Sequence, residues 1–307
     1  MNSKLKQYFA RKAKDVNNAL DYWLPKPTTT PSIIHKAMRY SVFAGGKRLR
    51  PILVIAAAEA CGAKAEQVMP TACALELVHT YSLIHDDLPA MDNDDLRRGR
   101  PTSHKVFGED IAILAGDALL THAFYLISRN AFEKGVKPFA VVDVTGLVAA
   151  GAGCSGMIAG QVADIQSDKG RWKTHKSKAF PTPEILLDFI HQNKTSALIQ
   201  ASLLAGGRLA RASHAKLMAI NIFGKNLGMA FQIVDDILDR VGDKKKLGKK
   251  GSDLANKKLT YPALYGVEDS HIRATGHIIA AHRALKNFHG DTTILHDIAD
   301  YLLERDH

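Results

Sequence analysis

The strongest constraint on this chain is a pair of acidic blocks, each carried by an apolar run with helical spacing. In the first, Cys73, Leu77, Tyr81, Ile84 and Leu88 keep a helical period up to Asp86, Asp87, Asp92, Asp94 and Asp95. At about 100° per residue, His79, Ser82 and Asp86 fall within an arc of roughly 60°, so one helical face carries a histidine, a hydroxyl and a carboxylate in file. Pro89 lacks an N–H and disfavours helical geometry at Leu88, which puts Asp92 on a loop or a distorted turn. In the second block Gln232, Asp235 and Asp239 again share an arc of about 60°. Asp236 lies beside them, and Gly228 leaves room on the same side.

An acidic cluster alone is usually a solvated cap. Here, however, the first block sits at a helix C-terminus, where carboxylates oppose the macrodipole and need a nearby cation. The second is surrounded by Met229, Phe231, Ile233, Val234, Ile237 and Leu238, so its acids lie along a largely buried helix and require partners. Oxygen ligands without a matching His/Cys set favour magnesium over zinc, and magnesium is commonly held by one or two carboxylates plus substrate phosphates. Arg97, Arg98 and Arg100 directly follow the first block, as a site for metal cations and phosphates together would need.

A chain of 307 residues with 46% hydrophobic content can bury a substantial core, and a single domain over residues 1–307 is expected. The first twenty residues hold no continuous apolar segment, so no signal peptide is expected, and no apolar run is read as long enough to cross a bilayer. Cys61, Cys73 and Cys154 are dispersed in apolar surroundings, which fits reduced core cysteines and a cytoplasmic protein. The net charge of +10 raises the question of nucleic acid, but no basic stripe interleaved with aromatics accompanies it, and no nucleic-acid partner is expected. The run from Lys244 to Lys250, with Lys257 and Lys258, reads as a solvated basic loop; positive potential around a cleft would draw in a small anionic substrate.

Helical periodicity dominates throughout. Helices are predicted near residues 3–22, 31–44, 50–61, 65–88, 108–130, 138–166, 183–205, 212–241, 270–287 and 293–304, with residues 167–180 and 242–258 as long polar connections. The fold class is therefore all-α, a helical bundle around an elongated cavity. In GGKRLRP, residues 45–51, paired glycines precede Lys47, Arg48 and Arg50 ahead of a helix opened by Pro51, an arrangement suited to a diphosphate.

These motifs together resemble the trans-isoprenyl diphosphate synthases, and among them the bacterial farnesyl diphosphate synthase type. The family's first aspartate-rich motif corresponds to DDLPAMD at 86–92 and its second to DDILD at 235–239. Further signatures follow in order: GGKRLRP at 45–51, RRG at 97–99, GDALL at 116–120, GQVAD at 160–164, KT at 194–195, and LGKKGSD with KLTYPAL at 247–264. They extend over most of the chain. Asn93 stands where the family usually has aspartate, and little effect is expected.

The resemblance implies a single-domain isoprenoid synthase bundle, a homodimer, and Mg²⁺ as cofactor, three ions per active site once substrate is bound. It implies that Asp86, Asp92, Asp235 and Asp239 hold the metal. Lys47, Arg50, His79 and Arg98 would bind isopentenyl diphosphate, and Arg97, Lys194, Thr195, Gln232, Lys249 and Lys258 the allylic diphosphate. A lone helix histidine such as His79 is more often structural than a ligand; the co-occurring motifs weigh against that here.

Electrostatics sets the expected mechanism. At an effective dielectric near 20, each carboxylate–diphosphate contact at 4 Å costs about 4 kcal/mol, so divalent cations must bridge the two. The allylic C–O bond ionises, the alkene of isopentenyl diphosphate attacks the cation, and a proton leaves to the released diphosphate. Lys194 stabilises the leaving group, while the oxygens of Thr195 and Gln232 face positive charge. Chain length is assigned by resemblance to Tyr81 and Ser82, with the two extra residues of DDxxxxD, and farnesyl diphosphate is the expected product. Simple angles nevertheless put Tyr81 about 140° from Asp86. Geranylgeranyl or geranyl diphosphate is the alternative product. A terpene cyclase normally carries a different second metal motif, and a noncatalytic subunit of a heteromeric synthase tends to lose the acidic motifs that are intact here.

Overall fold

The computed structural model describes residues 1–167, 178–241 and 258–304. Lys249, most of the basic run from Lys244, and most of the two polar connections lie outside the described residues. The described chain is almost wholly α-helical, with a single two-stranded ribbon pairing Leu96–Arg97 with Arg100–Pro101.

Two helices are buried nearly all round and form the centre. Helix α3 (Leu49–Ala60) buries Pro51 to Ala58 and Ala60, and α4 (Met69–Asp86) buries an unbroken run from Pro70 to Val78. α3 presents no polar stripe, and α4 keeps one, His79, Ser82 and Asp86, only toward its C-terminal end. Around them stand α1 (Ser3–Trp23), α2 (Ser32–Val42) and α6 (Glu109–Arg129) on the α4 side, and α10 (Ala197–Leu209) on the α3 side. Beyond α10 come α11 (His214–Val241) and α13 (Val267–Ala284), with α14 (Thr293–Glu304) closing against α1 and α3. One apolar cluster gathers α4 with α2, α6 and α7 (Pro138–Ala152); a second joins α1, α3, α11, α13 and α14. A third holds α9 (Pro183–Ile190) to α11 and to the short α12 (Tyr261–Tyr265).

Several predicted boundaries move for physical reasons. The helix expected over 138–166 is two, α7 and α8 (Met157–Ser167), because a tight turn at the glycines 151, 153 and 156 interrupts it; a Cβ on Gly156 would lie 2.3 Å from the Gly151 carbonyl oxygen. That break turns Cys154 outward, so only Cys73 of the three free cysteines is fully buried. The helix expected over 183–205 is α9 and α10 joined by a π-helical segment, His191–Ser196. Short α5 (Ser103–Phe107) and α12 were not predicted. The expectation that no stretch could cross a bilayer is corrected: Glu109–Phe132, Pro138–Ser167 and His214–Val241 are long and apolar enough by length and composition, with 39%, 33% and 50% of their most apolar windows buried inside the fold. Scattered polar residues hide that property from a search for an uninterrupted apolar run.

Candidate active site

The loop between α2 and α3 is built around Arg48, which is 4% exposed and sits at φ 53, in the left-handed region. Its guanidinium donates to Glu76 Oε1 at 2.8 Å, to the Val42 carbonyl at 2.7 Å and to Asn17 Oδ1 at 2.9 Å. Arg48 is thus an anchor rather than a ligand group. Removing one partner of such a buried pair typically costs about 3–5 kcal/mol. Lys47 donates to the Tyr301 hydroxyl at 2.9 Å, across to α14. Arg50 Nε is buried without a hydrogen-bond partner; burial lowers its pKa to about 10, against the opposing pull of Glu76 and Asp235.

Arg98 reaches back to the Gly45 carbonyl, and a Cβ on Gly46 would lie 2.5 Å from its Nη1. Gly46 therefore makes room for that guanidinium, and Gly45 supplies its carbonyl. His79 stands among these groups. Burial, then Arg50, Arg98, Arg97 and Arg48, hold it well below the usual histidine range, so its ring is neutral. Arginines crowded around a neutral imidazole, with Glu76 as their buried counter-charge, make a cationic cluster that suits an anion.

At the C-terminus of α4 three of the five first-block acids, Asp86, Asp87 and Asp92, part company. Asp87, 3% exposed, is clamped by Arg97, whose Nε lies 2.8 Å from both carboxylate oxygens. This pair supplies the cation that the helix dipole demands. Asp86 points elsewhere: Oδ1 accepts from Gln161 Nε2 at 2.9 Å. Burial and the nearby Asp92 push its pKa up to about 6, although Lys194 and Arg97 oppose this. The Asp92 amide donates to the Asp86 carbonyl at 2.9 Å, so a tight turn brings the exposed Asp92 back toward Asp86. Asn93 continues that turn at φ 54, a conformation asparagine tolerates better than most residues.

The π segment carries Lys194 and Thr195 between the two acidic blocks. Gly160 on α8 and Gly228 on α11 grip it from either side; a Cβ at Gly160 would fall 2.1 Å from Lys194 N, and one at Gly228 would fall 2.6 Å from Ser196 Cα. The extra residue of a π turn is frequently found at functional sites. Here it sends Lys194 Nζ to Asp164, with Asp86 within electrostatic reach. Burial lowers the Lys194 pKa, but Asp164 and Asp86 outweigh it and the net shift is upward. For Asp164 burial acts upward, and Lys194 and Lys258 outweigh it, holding the acid ionised. Thr195 Oγ1 donates to Gln232 Oε1 at 2.6 Å, one turn before Asp235. Asp235 in turn acts on Arg50. Asp86 is thus linked toward the second acidic block through Lys194, Thr195 and Gln232, while Arg50 faces Asp235.

Lys258, where the described chain resumes, acts on both Asp164 and Lys194; Asp239 is half-buried a turn beyond Asp235. Ser82 spends its hydroxyl on the His79 carbonyl at 2.9 Å. Tyr81 is 6% exposed, its ring meets His85 edge-on, and burial, then Asp86, raises its phenol pKa. Among the described residues no group of three or more His, Cys, Asp or Glu converges as a ready-made metal cage. That suits a cation held by few carboxylates and completed by substrate oxygens. The donor set fits magnesium: oxygen atoms only, led by a carboxylate whose ionisation is suppressed until a cation offsets it. Glu76, Asp164, Gln161 and His191 received no role from the sequence. Glu76 could have been flagged as a charge inside an apolar helical run.

The chain matches the Polyprenyl synthetase family over residues 31–289. It is 42% identical to a farnesyl diphosphate synthase of Geobacillus stearothermophilus, over 99% of this chain and 98% of that protein. It is also 42% identical to a geranylgeranyl diphosphate synthase of Cyanophora paradoxa, over 99% of this chain and 97% of that protein. The solved apo structure of an FPP/GFPP synthase from Zymomonas mobilis superposes with a TM-score of 0.84 at 33% identity, covering 99% of this chain and all of the other. Fold and site together define a prenyl transferase with the isoprenoid synthase helical bundle. The chain belongs to the polyprenyl synthetase family.

Proposed function

We propose that this prenyl transferase condenses dimethylallyl or geranyl diphosphate with isopentenyl diphosphate, head to tail, to give (2E,6E)-farnesyl diphosphate. The observation that carries this reading is the presence of two cationic clusters of different character. One, Arg50, Arg98 and neutral His79, has Glu76 as its buried counter-charge; the other, Lys194 with Lys258, is interleaved with Asp86 and Asp164. Two diphosphates, one of them accompanied by metal, match that division.

In this reading Lys47, Arg50, His79 and Arg98 hold isopentenyl diphosphate. His79 donates one N–H without adding charge to the arginines. Arg97, Lys194, Thr195, Gln232, Lys249 and Lys258 hold the allylic diphosphate. Asp86, Asp92, Asp235 and Asp239 would hold magnesium, which would supply the positive charge to offset that of the departing diphosphate. Lys194 donates to the leaving-group oxygen as the C–O bond breaks, and the Thr195 and Gln232 oxygens face the allylic cation. The site excludes water until the alkene attacks, and the proton lost passes to the released diphosphate. The protein is read as one domain over residues 1–307, as cytoplasmic, and as a homodimer. Outward apolar residues on α6 and α7, among them Ile113, Leu114, Tyr125, Phe139 and Val142, support the dimer.

The relatives named for geranylgeranyl diphosphate are as similar as those named for farnesyl diphosphate, which keeps a C20 product as the second reading. The test incubates purified protein with Mg²⁺, geranyl diphosphate and isopentenyl diphosphate, then sizes the dephosphorylated products. A C15 alcohol is expected. A C20 product shifts the assignment, a cyclic hydrocarbon refutes it, and turnover only with an added partner makes the chain a subunit.

A further inference from the structure

The second acid of DDILD, Asp236, is 6% exposed and is held by groups on every side. Its Oδ1 accepts from Gln232 Nε2 at 3.1 Å. Its Oδ2 accepts from the Tyr261 backbone N–H at 3.0 Å and lies 3.3 Å from His191 Nε2. The three groups come from three separate stretches: α11 itself, the π segment, and the chain re-entering the described fold at Lys258. The network then closes on itself. The His191 ring stacks on Tyr261 at 5.2 Å and 26°, and the Tyr261 hydroxyl donates to Asp188 of α9 at 2.7 Å.

This geometry fixes a polarity. A carboxylate only accepts, so the end of Gln232 facing Asp236 must be its NH₂, and Oε1 is left to meet the Thr195 hydroxyl. An acceptor oxygen is the end a developing cation requires. The same carboxylate fixes the Tyr261 amide three residues after Lys258, the lysine that acts on Asp164 and Lys194. A metal ion on Asp236 would have to displace these partners.

We propose that Asp236 is a positioning residue, not a metal ligand: it orients the Gln232 amide and latches the chain entering at Lys258, so that both face the allylic diphosphate. The proposal rests on the function given above, in which Gln232, Thr195 and Lys258 act on that substrate. Asp236→Asn is nearly isosteric but leaves one acceptor oxygen for donors on both sides, which frees Gln232 to invert or Tyr261 N–H to open.

Two measurements test it. Hydrogen exchange on the substrate-free protein is independent of any reaction. In Asp236→Asn the amides of 259–265 should exchange about tenfold faster or more than in the wild type, the size expected for losing a charge-assisted hydrogen bond. In the elongation assay, the KM for the allylic diphosphate should rise about tenfold while the Mg²⁺ concentration for half-maximal rate stays within about twofold; Asp235→Asn should move that Mg²⁺ requirement instead. His191→Phe keeps the stacked ring and should shift the same amides in the same direction by less, a second test should Asp236→Asn fail to fold. Unchanged amide protection, or an Mg²⁺ requirement raised as far as in Asp235→Asn, overturns the proposal. A wild type that elongates nothing refutes the function, whereas the exchange result still decides the latch.

Discussion

Gln161 donates to Asp86 Oδ1 at 2.9 Å, while its own Oε1 is buried without a hydrogen-bond partner. The amide is committed to the carboxylate, one of the few groups favouring the charged form of an acid that burial drives the other way.

The expected consequence is a pH-dependent metal requirement. Asp86 has a folded pKa of about 6 against 3.8 for the free acid, so its protonated form stabilises the folded metal-free protein at low pH, and that contribution is lost as pH rises through about 6. A divalent cation takes only the ionised form. Apparent Mg²⁺ affinity in the elongation assay should therefore fall by up to about tenfold per pH unit below 6 and be flat above it. Gln161→Ala should push the break to higher pH; an unmoved break would show that this hydrogen bond does not tune Asp86.

The glycines flanking the π segment give a sharper structural prediction. At Gly160 a methyl group would meet the Lys194 backbone at 2.1 Å, and backbone cannot swing aside as a side chain can. Gly160→Ala should lower stability by about 1–3 kcal/mol, the usual cost of overpacking, and reduce kcat by tenfold or more because Lys194 is displaced. Gly276→Ala on the exposed side of α13 meets nothing within 4 Å and should raise stability by about 0.5–1 kcal/mol. Thermal melts alongside kcat separate the two; equal effects from both would mean the close approach at Gly160 is not what holds the segment.

This contrast marks what the sequence could reveal. Periodicity located the long helices and put His79 and Asp86 on one face of α4, Gln232 and Asp235 on one face of α11, because those relations are local and follow from 3.6 residues per turn. It did not reveal the π turn, since that depends on two glycines 68 positions apart in sequence closing on one segment from opposite sides. It set Asp86 and Asp235 apart by face, but it could not say what Asp87 and Asp236 do instead. Neighbouring acids look alike in sequence, and only the placement of Arg97, Tyr261 and His191 makes one of each pair an internal strut. Arg48 was grouped with Lys47 and Arg50 for the same reason, its partner Glu76 being 28 residues away.

Chain length offers the last prediction. The Tyr81 ring is 6% exposed, its hydroxyl is buried without a hydrogen-bond partner, and its edge meets His85 with centroids 5.8 Å apart. Burial, then Asp86, raises the phenol pKa to about 12, so the residue is a neutral, bulky ring between one and two turns before Asp86. Tyr81→Ala opens that space and should move the product distribution to longer chains, at a stability cost of about 3–5 kcal/mol for a buried aromatic. Tyr81→Phe keeps the ring and discards an unsatisfied hydroxyl, so product length should hold and stability should not fall. Mass spectrometry of dephosphorylated products, paired with thermal melts, reads both effects; a Tyr81→Ala enzyme that folds yet makes the wild-type product would remove Tyr81 from the floor of the hydrocarbon pocket.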